Sequence, residues 1–261
     1  MSSVTSAVSV LLTYIFLLQP NALSTDQVTV RHSEGVMRGF LALRTVEGKL
    51  LADGEMTQVA EGDRVSDRLM FRFKDGSIYD DTTIFSQRGT LRLLSNHLIE
   101  RGPSFRHPIE TSLDTSTGQV TVHYTDNDGN DKSISQKLDV PADVANGLLF
   151  TLVKHIQPSA PQTTVSYVLT TPKARVVNLV IVPQGVEPIS HGTIKLRAMR
   201  YIIKVKSGGV AGWLARLTGK QPQNSQVWVL GGEAPTFVKS EGPFYEGGPI
   251  WRVELSAPAT F

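Results

Sequence analysis

Apolar and polar residues alternate along most of this chain at the two-residue period of a β-strand. Leu69, Phe71 and Phe73 stand at alternate positions, and the Asp75-Gly76 pair that follows is a strong hairpin signal. The same pattern, a short alternating run bounded by turn residues, recurs about a dozen times. The pattern therefore predicts an all-β fold, and it favours a barrel or a strongly curved antiparallel sheet over alternating strands and helices.

The predicted strands are rich in β-branched and aromatic residues and are bounded by turn residues. They cover 36–45, 69–74, 77–85, 120–124, 133–140, 163–170, 175–182, 193–206, 226–230, 236–239 and 250–255. We find no internal repeat and no clear boundary between them, so we expect residues 25–261 to form one curved, half-barrel-like domain.

One segment has the period of a helix. Pro141 precedes residues 143–156, in which Leu148, Leu152 and Ile156 belong to one apolar stripe. The stripe predicts a central α-helix over about 143–156. We expect the concave face of the sheet to bury its apolar side.

A second helical pattern interrupts the strands at residues 208–222, "GGVAGWLARLTGKQP". Val210, Trp213, Leu214 and Leu217 follow the spacing of a helix face, which predicts a short helix over about 209–218. The interpretations left open are a cap on the open end of the sheet, a mobile lid, and a contact with a membrane surface.

The N-terminus resembles an export signal. Residues 7–18 form an apolar run of 12 residues, which is shorter than the roughly 20 residues that cross a bilayer. Pro20 follows, and the small residues around Ala22 and Ser24 predict cleavage after Ser24. No Lys or Arg precedes the run, so an upstream start or an uncleaved anchor stays open. We expect residues 1–24 to be a signal peptide and the protein to be exported, periplasmic or extracellular.

Composition narrows the functional classes. Cysteine is absent from the 261 residues, which excludes disulfides and thiolate chemistry and is more usual in bacterial exported proteins than in small eukaryotic ones. The 26 basic and 24 acidic residues nearly balance, so nucleic-acid binding is not expected.

The export signal, the all-β body with one central helix and the closing string "GGEAPTFVKSEGPFYEGGPIWRVEL" at 231–255 together resemble a group of uncharacterised exported bacterial proteins. More distantly, the chain resembles half-barrel proteins of the DUF3108 type and the lipoprotein carriers LolA and LolB. This resemblance implies an open curved sheet whose apolar concave face holds acyl chains or a buried helix. It implies no catalytic residues.

Common catalytic and metal-binding motifs fail on spacing. Gly212 and Gly219 are too far apart for a phosphate-binding loop. The "DNDGND" string at 126–131 has Asp131 where a calcium loop needs glycine, and Lys137 where it needs glutamate. A hairpin turn accounts for this string.

The remaining candidates for metal binding or catalysis are scattered titratable residues. His97 and His107 supply two ligands of a zinc site without a third, so we interpret them as solvated or singly hydrogen-bonded. Asp80 and Asp81 point to opposite faces of a strand, and we interpret them as a polar strand end. We expect no catalytic residue, metal or cofactor.

Between Glu187 and Glu233 the chain has no acidic residue but several cations, as is typical of segments that meet anionic partners or of a solvated face. The predicted ligand or membrane contacts combine the helix face with these cations and comprise Val210, Trp213, Leu214, Leu217, Lys204, Lys206, Arg216 and Lys220.

The sequence leaves three hypotheses. In the first, a monomeric, non-catalytic envelope protein binds a lipid or another apolar or amphiphilic ligand. In the second, a hydrolase brings residues such as His97, His107, Asp80 and Glu100 into one unrecognised site. In the third, a structural or assembly protein presents a basic surface to an anionic partner.

Overall fold

The fold is one antiparallel sheet of 14 strands that curves around a short helix. The computed structural model describes residues 26–126, 128–171, 173–191, 194–206 and 223–256. The first eight strands are β1 (Met37–Thr45), β2 (Leu50–Glu61), β3 (Arg64–Phe73), β4 (Ile78–Ser86), β5 (Arg92–Arg101), β6 (Ile109–Asp114), β7 (Gln119–Thr125) and β8 (Asp131–Lys137). The helix α1 (Leu149–His155) comes next. It is followed by β9 (Thr163–Thr171), β10 (Lys173–His191), β11 (Ile194–Lys206), β12 (Ser225–Leu230), β13 (Thr236–Pro243) and β14 (Ile250–Ser256).

The strand order is two runs of consecutive hairpins joined where β1 pairs with β14. One limb of the sheet therefore runs from β1 to β8, and the other runs from β14 back to β9. The predicted curved antiparallel fold is confirmed. The predicted hairpin at Asp75-Gly76 is also present, where Gly76 has a φ of 88°, which favours glycine.

Curvature brings the two limbs together near their outer ends. The side chain of Gln136, on β8, donates to the backbone oxygen of Ala174 at 2.8 Å and accepts from its nitrogen at 3.1 Å. The Gln136 amide thus makes the pair of backbone hydrogen bonds that a neighbouring strand would make. The sheet remains open, because β8 and β9 are its two edges and do not pair.

The central helix is shorter than predicted. In place of a helix from residue 143, the side chains of Asp143 and Asn146 accept hydrogen bonds from backbone N–H groups of β9, both at 2.8 Å. Gly147 then adopts a φ of 68°, which is not helical. These residues cover the edge of β9, so α1 begins only at Leu149.

The apolar stripe of the predicted helix does enter the core. Leu148, Leu152, Val153 and Ile156 are at most 3% exposed and pack with inward-facing residues of both limbs. The helix contacts β12 and β13 on one side. The expectation that the inner face of the sheet buries this stripe is confirmed.

Two predicted elements, the signal peptide at 1–24 and the short helix at about 209–218, lie outside the described residues. Within the described ranges, no helix has the length and apolar composition needed to cross a membrane.

Candidate functional site

A row of polar side chains crosses the inner face of the sheet from β2 to β5. The strand register pairs Gln58 with Asp67. It pairs Thr83 with Asp67 on one side and with Asn96 on the other. All four residues, which we call the polar row, are at most 6% exposed. A buried polar row on a sheet needs hydrogen-bond partners. Thr151 of α1 donates to Asp67, and Glu34 of the N-terminal segment accepts from Gln58.

Asp81 lies two residues before Thr83 on β4 and faces inward like the polar row. Its Oδ1 accepts from Asn96 Nδ2 at 2.5 Å, and its Oδ2 accepts from the Tyr79 hydroxyl at 3.4 Å. Burial raises the pKa of Asp81 to about 6, although these hydrogen bonds favour the ionised form. The turn at Gly147 packs so closely here that a Cβ on it would overlap the Thr83 hydroxyl.

The N-terminal strap, which we define as residues 26–35, is joined to the helix by a buried carboxylate. Glu34 Oε2 accepts from Lys154 Nζ at 2.7 Å and from Gln58 Nε2 at 2.9 Å, and its Oε1 accepts from His155 at 3.0 Å. Burial opposes ionisation, but the hydrogen bond from His155 and the charge of Lys154 outweigh it. Together they lower the pKa of Glu34 to about 2. We call these four residues the Glu34 clamp.

Two clamp residues, Glu34 and His155, together with His32 have the residue types of a metal site. His32, Glu34 and His155 have ligand atoms within 4.8 Å of one another. However, His155 Nδ1 accepts from the backbone N–H of Arg31 at 3.1 Å, which places the ring proton on Nε2, the atom that faces Glu34. Lys154 also holds the carboxylate. Since metal-binding histidines normally donate from their second nitrogen, this arrangement favours a structural hydrogen-bond cluster.

Asp67, in the polar row, is less well satisfied. Thr151 of α1 donates to its Oδ2 at 3.3 Å, while its Oδ1 is buried without a hydrogen-bond partner among the described residues. Burial raises the pKa of Asp67 to about 7, against the favourable charge of Lys154. Its carboxyl group is therefore partly protonated near neutral pH.

Glu100 is a second buried carboxyl that is poorly satisfied. It faces inward opposite Tyr79, is 4% exposed, and makes no hydrogen bond or ion pair in the part of the chain that the structure describes. Burial, with the charge of Asp81, raises its pKa to about 8. Tyr167 reaches this region from β9 on the opposite limb. Burial together with the charges of Asp81 and Glu100 raises the pKa of its phenol.

Space remains around Glu100. Inward-facing Leu69, Leu98, Tyr124 and Tyr167 are half-buried, whereas Val65 and Phe85, further along the same face, are fully buried. Solvent therefore reaches part of the inner face on the side of β3 to β7. We call this region the inner cleft, and its residues are Leu69, Tyr79, Asp81, Leu98, Glu100, Tyr124 and Tyr167.

Aromatic rings close one end of the inner cleft. The Tyr79 ring lies 4.9 Å from that of Phe244, which in turn lies 5.6 Å from Phe71 and 5.4 Å from Trp251, measured between centroids. Phe244 belongs to the turn between β13 and β14, so the cluster joins both limbs. The cleft therefore combines aromatic and aliphatic walls with two inward carboxyls, Asp81 and Glu100.

The residues proposed for a hydrolase do not meet. Asp80 points outward and forms a bidentate pair with Arg68, whereas Glu100 points inward. His97 binds Glu110 at 2.9 Å on the outer face. His107 is exposed. Asp80 and Asp81 do point to opposite faces. The interpretation as a polar strand end is wrong for Asp81, which lies within β4 and is half-buried on the inner face.

Two open grooves of about 570 and 300 Å³ lie on the outer face of β4 to β8. Outward-facing residues line them chiefly, including Glu110 and His123 in the larger groove and His97 and Thr121 in the smaller one. Glu100 and Tyr124 of the inner cleft also contribute to the lining of the larger groove.

The predicted contact residues fall largely on undescribed sequence. Val210, Trp213, Leu214, Arg216, Leu217 and Lys220 lie outside the described residues. Lys204 and Lys206 are exposed on β11 and share the face opposite Ile203, which is buried. Alternation along β11 puts Lys195 and Arg197 on the other face, so these four cations do not form one surface.

Sequence reasoning missed both the inner cleft and the Glu34 clamp. A signal for the cleft exists, because Asp67, Asp81 and Glu100 occupy alternate positions that apolar residues fill elsewhere in the same strands. The clamp has no such signal. Its bonds join Glu34 to residues 120 and 121 positions away.

Comparisons with protein-family models, with curated proteins and with solved structures give no match to this chain. The resemblance to half-barrel carriers stays a prediction.

Proposed function

We propose that this chain is a non-catalytic binding protein of the cell envelope that holds an apolar or amphiphilic ligand in the inner cleft. The observation that supports this most directly is the partial exposure of inward-facing leucines and tyrosines, Leu69, Leu98, Tyr124 and Tyr167, on the same face as the fully buried Val65 and Phe85. Apolar surface that is enclosed by the fold and still reached by solvent is typical of a ligand site.

The chemistry of the walls supports a ligand with an apolar body. Leu69 and Leu98 offer aliphatic surface, and the Tyr79 and Phe244 rings close one end. Pockets for small molecules are usually lined by such side chains, with a few polar groups that fix the ligand's orientation. Glu100 and Asp81 are the polar groups available here.

Export and a monomeric state remain part of the proposal and rest on the sequence. The same holds for a contact between the 208–222 segment and an anionic membrane surface. In this proposal the segment brings the protein to the lipid surface, and the inner cleft receives the ligand.

The test is binding of the neutral apolar fluorophore N-phenyl-1-naphthylamine to two matched variants. Leu98→Trp enlarges a side chain that faces the cleft, and Ile99→Trp enlarges its neighbour on the outer face. We expect saturable fluorescence enhancement in the unmodified protein and in Ile99→Trp, and a loss of about 10-fold or more in affinity in Leu98→Trp. Absence of saturable binding, or equal loss in both variants, would contradict the proposal.

A further inference from the structure

We propose that the inner cleft selects ligands that carry a protonated amine or another organic cation, and that the carboxyl group of Glu100 receives this head group with Asp81 beside it. This inference rests on the proposed function, since it gives the chemistry of the ligand that the cleft binds.

The position of Glu100 indicates that a ligand group pairs with it. Its side chain is 4% exposed, faces the cleft opposite Tyr79, and has no hydrogen-bond or ion-pair partner among the described residues. Buried carboxyls in folded proteins are normally paired or hydrogen-bonded, because desolvation of an unpaired one is costly. A ligand that donates hydrogen bonds and carries positive charge supplies the missing partner.

The groups around Glu100 favour a cation over an anion. Asp81 and Tyr79 face it from β4, Tyr167 faces it from β9, and Tyr245 approaches from the turn before β14. None of these four carries a positive charge. Three cations lie further out: Arg101 and Arg106 are exposed, and Lys132 pairs with Asp126 at 3.4 Å. Asp81 is the charged neighbour that shifts the pKa of Glu100. The nearest buried ammonium of the helix, Lys154, is already bound by Glu34 at 2.7 Å.

Aromatic surface beside the carboxyls suits the same ligand. The rings of Tyr79 and Phe244 lie 4.9 Å apart between centroids at the end of the cleft, and Tyr167 stands on the opposite limb. Cations are attracted to the faces of such rings, particularly where water is excluded. A carboxyl next to aromatic walls therefore fits an ammonium group attached to an apolar chain.

A measurable consequence follows from the acidity of Glu100. Its pKa is raised to about 8 by burial and by Asp81, so most of the empty cleft holds a protonated Glu100 at pH 7. A bound cation favours the ionised carboxylate and drives the proton into solution. Cation binding at pH 7 is thus expected to release close to one proton per ligand.

The experiment is isothermal titration calorimetry of the full chain at pH 7 in two buffers of different ionisation enthalpy. The probes are decylamine, 1-decanol and decanoate, which share one apolar chain and differ in head group. We expect decylamine to bind at least about 10-fold more tightly than decanol, as one charged hydrogen bond implies, and to release nearly one proton.

Two variants separate the head group from the cleft. In Glu100→Gln we expect decanol affinity to be unchanged, while the amine preference and the proton release disappear. The matched control, Glu110→Gln, alters an outward carboxyl on the neighbouring strand and is expected to keep both. Butylamine distinguishes the source of the cation, because an equal affinity to decylamine indicates a small soluble amine, and a much weaker one indicates an amphiphile.

The outcomes are distinguishable from failure of the proposed function. Equal affinity for decylamine and decanol, tighter binding of decanoate, or an amine preference that survives in Glu100→Gln would overturn the inference while leaving a binding cleft in place. If no probe binds, the proposed function itself fails.

Discussion

Two glutamates buried inside the same curved sheet are in opposite electrostatic states. Glu34 is held by Lys154, Gln58 and His155, and its pKa is lowered to about 2. Glu100 has no partner among the described residues, and its pKa is raised to about 8. Burial disfavours the charge in both cases, so hydrogen bonds and a neighbouring cation decide the difference. A satisfied carboxylate fixes the fold, whereas an unsatisfied one is available to a ligand.

The largest effect on stability is expected from removing Glu34, the glutamate whose hydrogen bonds are satisfied. Glu34→Ala removes the ion-pair partner of the buried Lys154 and two of the hydrogen bonds that join the N-terminal strap to α1. We expect a loss of about 3–5 kcal/mol in the free energy of unfolding, measured by urea denaturation. Glu55→Ala, which removes the exposed pair with Arg38, is the control and should cost less than about 1 kcal/mol. Similar losses in the two variants would contradict a structural role for the clamp.

A second test concerns the turn that covers the polar row. Gly147→Ala introduces a Cβ that overlaps the Thr83 side chain at a φ of 68°. We expect a cost of about 2–4 kcal/mol from strain and overpacking together. Gly62→Ala meets no atom within 4 Å at a φ of 61°, so it carries only the backbone cost of about 1–2 kcal/mol. Equal costs would mean that the turn does not pack on the row as described.

The pH dependence of stability separates the two glutamates. The folded pKa of Glu100 is raised from 4.5 to about 8, so its contribution is fully present below about 4.5 and is lost as the pH rises through 8. Glu34, lowered to about 2, contributes above 4.5 and loses this contribution as the pH falls towards 2. We expect Glu100→Gln to exceed the unmodified protein in stability by about 1–3 kcal/mol at pH 9 and to match it near pH 4. Chemical denaturation at both pH values checks this, and a variant less stable at pH 9 would refute it.

The smallest effect is expected on the outer face. Asp80→Asn removes the pair with Arg68, whose side chain is 48% exposed, and should cost less than about 1 kcal/mol. Asp81→Leu, at the next residue, leaves the Tyr79 hydroxyl without its acceptor and leaves the Asn96 amide with Thr83 alone, and should cost about 2 kcal/mol or more. Thermal unfolding of the two variants measures this difference in stability. If Asp80→Asn costs more, the assignment of faces along β4 is wrong.

The alternation of residues was enough to predict the fold class, because each strand repeats the same local signal and each turn carries its own residues. The helix was predicted too long, because the stripe says nothing about Asp143 and Asn146, whose side chains bind the edge of β9. The Glu34 clamp could not be predicted, since it joins segments about 120 residues apart. Asp67 and Glu100 could be recognised in the sequence as polar residues at positions where the alternation places apolar ones. Their significance depends on which partners they lack, and only the three-dimensional arrangement reveals that.

The most direct measurement is a carbon-13 NMR titration of the glutamate side-chain carboxyls, followed with and without decylamine. We expect Glu100 to titrate near pH 8 in the free protein and well below that value with the amine bound, while Glu34 stays ionised to about pH 2 in both. A Glu100 carboxyl that titrates near its ordinary value of 4.5 and does not respond to the amine would contradict the assignment of Glu100 as the group that receives the cation.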